Sequence, residues 1–127
     1  MRLIVITLLV LIVVSCRKIE GPGGTSSIQG KIIMQEYDAF NQLIAEYDAA
    51  DERVFILYGT DDNTYDDDFR TSYDGSYRFD YLTKGSYRIF VYSDCNTCES
   101  GNEAIIVDVS ITENKSTIIL PDIIIRK

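Results

Sequence analysis

The sequence predicts an all-β fold, a sandwich of seven or eight short strands, and three observations carry that prediction. Turn signals recur every 8–12 residues along most of the chain. Two runs alternate between faces: Tyr77, Phe79 and Tyr81 against Ser76, Arg78 and Asp80, then Tyr87, Ile89 and Val91 against Arg88 and Tyr92. That is the period of a half-buried strand. No segment holds a helical period for longer than a turn or two.

The first stretch, "MRLIVITLLVLIVVSCRK", does not belong to that domain. Arg2 supplies a positive charge, Leu3 to Val14 is apolar except for Thr7, and Ser15 stands directly before Cys16. Residues 1–15 have the anatomy of a secretory signal peptide, with an apolar region shorter than the ~20 residues that cross a bilayer. "VVSC", Val13 to Cys16, resembles the lipobox of bacterial lipoproteins, Leu-x-(Gly/Ala/Ser)-Cys, with Val13 in the leucine position. The resemblance implies that Cys16 becomes the lipid-modified first residue, carrying palmitate-type chains. It also implies an address in the bacterial cell envelope, with the outer membrane expected. Each buried methylene contributes about 0.8 kcal/mol, so two or more acyl chains hold a protein on a membrane stably.

Residues 16–27, the lipidated cysteine and "RKIEGPGGTSS", are rich in glycine and serine and are expected to form a flexible tether. Residues 28–127 then form the sandwich domain. Loss of the leader removes one basic residue, Arg2, from 12 and leaves 20 acidic ones, a net charge of −9. Such a chain repels phosphate backbones, which argues against a nucleic-acid partner.

Strand signals begin at "SIQGKIIMQEY" and pause at "DAFNQ", a loop, although "DAFNQLIAEYDAA" has enough alanine and leucine for a short helix. Arg53 to Tyr58 is the clearest strand of the next segment. "TDDNTYDDD" is an acidic loop, and Phe69 to Tyr73 resumes as a strand. Asp74-Gly75 then predicts a type I′ hairpin turn, which needs positive φ at both central residues. "CNTCESGNE" is a second loop. "AIIVDVSIT" and "STIILPDIII" are expected to pair with each other around Glu113 to Lys115, with Pro121 marking an edge or bulge.

"DGSYRFDYLTKGSYRIFVY" is similar to the signature of carboxypeptidase regulatory-like domains, through Asp74, Gly75, Tyr77, Phe79, Leu82, Gly85, Tyr87, Ile89 and Val91. The resemblance implies a transthyretin (prealbumin)-like, Ig-like antiparallel Greek-key β-sandwich. It also implies a module that does not catalyse but accompanies other activities as a folding, spacing or adhesive unit. Leu82, Gly85 and Tyr87 fall where sandwich folds place a tyrosine corner, a buried phenol whose hydroxyl bonds backbone a few residues upstream.

Other candidate sites are fewer. Asp61, Asp62, Asp66, Asp67 and Asp68 offer hard oxygens of the kind Ca²⁺ takes, though without the spacing of an EF-hand. Otherwise no cofactor is expected. Cys95 and Cys98 cannot complete a structural zinc site by themselves, and no histidine exists to help. With Cys16 committed to lipid, they are an even pair in an oxidising compartment, which favours a local disulfide over free thiols, a metal clip or a redox role. The lack of histidine also removes the commonest general base, which disfavours an enzyme. Phe90 and Tyr92 face outward beside Arg78 and Arg88, where they could meet a glycan or another envelope protein unless the segment Gln35–Asp51 covers them. The expected function is a lipid-anchored, non-enzymatic structural or binding accessory module. The alternatives are a Ca²⁺-dependent adhesion or carbohydrate-binding module and a redox-active envelope protein.

Overall fold

Core placement follows from which residues each strand can turn inward. In the computed structural model, residues 20–60 and 64–127 are described. The leader with Cys16, and Asp61 and Asp62 of the acidic loop, lie outside the described residues. The described chain forms β1 (Pro22–Tyr37), β2 (Leu43–Asp48), β3 (Arg53–Tyr58), β4 (Asp67–Arg70), β5 (Ser76–Leu82), β6 (Gly85–Asp94), β7 (Asn102–Ile111), β8 (Thr117–Ile119) and β9 (Ile123–Arg126). Strands β2, β5, β8 and β9 gather around β1, and a second sheet runs β4-β3-β6-β7. The shared core is Ile28, Ile32, Val54, Ile56, Tyr77, Phe79, Tyr87, Ile89, Val91, Ile123 and Ile125, with smaller contributions around them.

Ile32 shows how β1 serves several partners. Its N–H donates to the Gly75 carbonyl at 2.9 Å, and its own carbonyl accepts from Ala49 N–H at 3.0 Å. A strand residue directs both groups to one side, so β5 and β2 lie end to end along the same edge of β1. Along the other edge, β8 and β9 run parallel to β1, with Ile28 opposite Ile118 and Ile33 opposite Ile124. Pro121, which has no amide to donate, sits in the break between them.

Several sequence expectations need correction. The sandwich is mixed, because β8 and β9 are parallel to β1 rather than antiparallel. The last two segments do not pair with each other: β7 pairs β6 from Gly85↔Ile111 to Asp94↔Asn102, and β8 crosses to the other sheet. Side chains at the start of β1 capture the crossing chain. Lys115 N–H donates to Thr25 Oγ1 at 3.0 Å, Ser116 N–H to Ser26 Oγ at 3.2 Å, and Ser26 Oγ–H to the Glu113 carbonyl at 3.0 Å. For the same reason the tether is shorter than expected, since β1 begins at Pro22 and Ser26 and Ser27 are buried.

The Asp74-Gly75 turn is not type I′, because only Gly75 has positive φ, 77°. Gly75 N–H closes onto the Ser72 carbonyl at 2.9 Å, and Asp74 Oδ1 accepts from the Ser76 hydroxyl at 2.6 Å and from Ser76 N–H at 3.1 Å. That hydrogen bonding holds the Asp74 carboxyl below its usual range. A Cβ on Gly75 would also collide with the Ile32 carbonyl, so the turn is seated against β1. The strands it joins lie in different sheets. Tyr81 also departs from the alternation: with φ of 57° it swings outward to 74% exposure, and Leu82 takes the buried place. One left-handed residue shifts the period by one.

Two fully buried tyrosines have opposite hydrogen-bonding fates. Tyr87 Oη donates to the Thr83 carbonyl at 2.7 Å and accepts from Gly21 N–H at 2.9 Å, while Thr83 Oγ1 lies 3.2 Å away. Leu82 is buried beside this corner, and Gly85, φ 150°, carries the turn into β6. Tyr77 lies across Gly30 on the neighbouring strand, where a Cβ would strike its ring. Its hydroxyl has no hydrogen-bond partner among the described residues. Burial, aided by the Asp122 carboxylate, pushes the Tyr77 phenol up to about 12.

The two tyrosines therefore respond differently to the same deletion. Tyr87→Phe leaves a buried N–H short of its acceptor and lowers stability by about 1–2 kcal/mol, whereas Tyr77→Phe removes an unpaired hydroxyl and leaves stability equal or higher by about 1 kcal/mol. Urea denaturation midpoints at neutral pH check both. The neutral Tyr77 phenol contributes stability fully below the unfolded value of about pH 10 and loses it as pH climbs towards 12. Tyr77→Phe should flatten that part of the alkaline limb.

Candidate binding face

The β4-β3-β6-β7 sheet carries a second, smaller apolar layer on its outer side. Val54 and Ile56 of β3 enter the core, so Phe55 and Leu57 point away from it, yet both are buried. Aromatic neighbours account for Phe55. Its ring stacks on Phe90 at 4.8 Å between centroids, meets Tyr65 at 4.7 Å, and lies edge-on to Tyr92 at 5.7 Å. Phe90 and Tyr92, two apart on β6, meet at 5.6 Å. Register explains this assembly, since Phe55 is opposite Phe90, and Phe90 is opposite Ile106 of β7. Tyr65, Tyr92 and Ile106 remain 42%, 55% and 53% exposed, so the cluster presents an open apolar surface over a buried base.

Charge pairs border this surface. The Arg53 guanidinium lies 5.0 Å from the Phe55 ring centre and 5.9 Å from that of Tyr65, and its Nε donates to Asp68 Oδ2 at 2.8 Å. Arg88 grips Asp108 with two N–H donors, Nε at 2.7 Å and Nη2 at 3.0 Å, which holds the Asp108 carboxyl below its usual range. These exposed pairs add little stability. Their effect is positional: Arg53 is drawn over the Phe55 ring, and the charge of each arginine is answered locally. The face therefore suits a ligand with apolar patches and hydroxyls better than a strongly charged one.

Of the sequence-predicted residues, Phe90, Tyr92 and Arg88 belong to this face. Arg78 does not: it lies on β5, in the other sheet, beside Gln29 and Asp80. The segment Gln35–Asp51 does not cover the face either, because it forms the end of β1 and β2 in the opposite sheet. The sequence alone does not single out Phe55, Arg53 and Tyr65 as members of this face. For Phe55 the signal is "VFIL" at Val54 to Leu57, four apolar residues without alternation, the mark of a strand covered on both sides; no local pattern marks Arg53 or Tyr65.

The acidic loop uses its carboxylates locally. Asp66 Oδ2 accepts from Tyr58 N–H at 2.7 Å, Asp67 Oδ1 from Asp68 N–H at 2.8 Å, and Asp68 pairs with Arg53. Among the described residues, Asp66, Asp67 and Asp68 do not bring three ligand oxygens together, and only Cys95, Cys98 and Glu103 form such a converging group. Cys95 and Cys98 are bonded to each other in the β6–β7 loop. No helix among the described residues is long and apolar enough to cross a membrane.

No protein-family model and no curated protein matches this chain. Among solved structures, the chain is similar to a Pseudomonas aeruginosa protein named for a supposed carbohydrate-binding role. That pair has a TM-score of 0.49 and 12% identity, over 89% of this chain and 92% of that one. It is also similar to (S)-allantoin synthase, with a TM-score of 0.45 and 14% identity, over 82% of this chain and 42% of that one. Both likenesses are too distant to argue for an activity.

The disulfide closes a very short loop, for which chain entropy gives about 2 kcal/mol. Replacing Cys95 and Cys98 together by serine should lower stability by no more than that and leave the aromatic face folded. Thermal unfolding followed by near-ultraviolet circular dichroism checks both halves of that expectation.

Proposed function

We propose that this chain is a lipid-anchored, non-enzymatic binding module of the bacterial cell envelope, and that it holds a glycan on the outer face of the β4-β3-β6-β7 sheet. The observation that carries the reading is the contiguous cluster of Phe55, Phe90 and Tyr92 on the sheet with Tyr65 of the β3–β4 loop packed against Phe55. Sugar rings present flat C–H faces, which stack on aromatic side chains, while their hydroxyls find polar partners at the rim. Here Phe55 and Arg53 fix the exposed rings before any ligand arrives, so little side-chain freedom is lost on binding. The lipidated residue in this reading is Cys16, on the strength of "VVSC" after an apolar leader. The chain enters the domain at the Tyr87 corner, and β1, bulged between Pro22 and Ile28, runs on from Ile28 to Tyr37, roughly 30 Å at the strand rise. An anchored domain would thus present the aromatic face along its flank. Ion-paired carboxylates and the absence of histidine in the sequence support the non-enzymatic part.

Two experiments test the two halves separately. On a glycan array followed by titration calorimetry, Tyr92→Ala and Tyr65→Ala should each weaken binding about 3- to 10-fold, the worth of one aromatic contact. Their melting temperatures should stay near wild type. Binding that survives the double substitution unchanged, or an array with no bound glycan, rejects the face. Cys16→Ala should move the protein from the membrane fraction to the soluble fraction, and retention on the membrane rejects the anchor.

A further inference from the structure

The β6–β7 hairpin closes through three backbone hydrogen bonds: Cys95 N–H to the Gly101 carbonyl at 2.9 Å, Gly101 N–H to Cys98 at 3.1 Å, and Cys98 N–H to Cys95 at 3.4 Å. Glu103 is the second residue of the return strand, opposite Ser93. This register brings its carboxylate back over the loop, so that one oxygen of Glu103 and both sulfurs lie within 4.8 Å of one another. The cysteines are half-buried and Glu103 is exposed, so a reductant and an ion can reach all three. Asp94 to Glu103 contains three carboxylates and no basic residue. Arg126 and Lys127 line a cleft of about 120 Å³ with Asp94 and Asn96 at the base of this loop.

We propose that reduction of the Cys95–Cys98 disulfide turns this hairpin loop into a Zn²⁺ site held by the two thiolates and the Glu103 carboxylate, with a fourth position open. In the oxidised chain the sulfurs are spent on each other. A dithiol donor supplies two electrons and two protons, the S–S bond breaks, two thiols form, and the donor leaves as its own disulfide. Zn²⁺ then displaces the two thiol protons and forms two Zn–S bonds. Two sulfurs at 2.3 Å from a tetrahedral metal stand about 3.8 Å apart, and a carboxylate oxygen sits at roughly 2.0–2.2 Å. A ligand set already converged within 4.8 Å reaches that geometry by side-chain rotation, without moving the strands. Glu103 supplies the third ligand that the Cys-x-x-Cys spacing lacks. A three-ligand set leaves the metal able to take water or an outside ligand, unlike a closed structural site.

Cobalt titration of the full chain in detergent tests this, because Co²⁺ substitutes for Zn²⁺ and reports thiolate bonds by charge-transfer bands in the near ultraviolet. The chain is reduced with a phosphine and handled without oxygen. The expected result is a one-to-one complex with thiolate–cobalt bands, displaced by Zn²⁺ and absent from the oxidised chain. Glu103→Gln, which keeps the shape and removes the charge, should weaken Co²⁺ binding at least 10-fold with far-ultraviolet circular dichroism unchanged. Absent bands, equal binding by the oxidised chain, two chains per metal, or an unaltered affinity in Glu103→Gln would each overturn the proposal. So would loss of the hairpin fold on reduction.

Discussion

The Tyr87 hydroxyl is the point on which the arrangement of the sheets depends. It donates to the Thr83 carbonyl and accepts from Gly21 N–H, so one buried phenol joins the turn before β6 to the chain just ahead of β1. A second link, Thr83 N–H to the Gly21 carbonyl at 3.0 Å, runs alongside it. These groups are polar and largely shielded from water, so each must find a partner or lower stability by about 1–3 kcal/mol. The corner thus specifies where β1 starts, and everything else is arranged along β1.

β1 acts as a rail whose two edges are both occupied over most of Ser27 to Gln35. β5 and β2 share one edge and β8 and β9 the other, so the rail organises four strands that could not form a stable sheet without it. Such occupation also removes long exposed strand edges around β1, a common route to unwanted association. The cost is specificity of place: Gly30 must remain bare for Tyr77 to lie across it, and among the described residues the Tyr77 hydroxyl finds no partner. Packing of a large ring has won over satisfaction of one polar group.

The opposite sheet is built on another compromise. β3 has apolar residues on both faces, and the second face would be an exposed liability if Tyr65, Phe90 and Tyr92 did not gather over it. Their own outer surfaces stay open, bordered by arginines whose charges are matched by Asp68 and Asp108. Such a surface is preorganised and nearly neutral despite a chain with a net charge of −8. This combination sets the face apart from the general mutual repulsion of an acidic chain.

Much of this was local information. Alternation in Tyr77–Phe79 and Tyr87–Val91, and the glycines at 75 and 85, determined that the chain would form strands with one buried side, because side-chain direction in a strand depends only on parity. The same parity placed Phe90 and Tyr92 outside. What tertiary structure alone decided was partnership. β7 and β8 are neighbours in sequence, yet they belong to different sheets, because Thr25 and Ser26 capture the chain between them. Arg78 and Arg88 have the same parity pattern but face different sides of the molecule. Tyr65 joins Phe55 only through the fold of a loop. Alternation tells a residue which face it occupies, whereas the identity of that face is settled by hydrogen bonds between segments as many as 90 residues apart, and no local pattern encodes these.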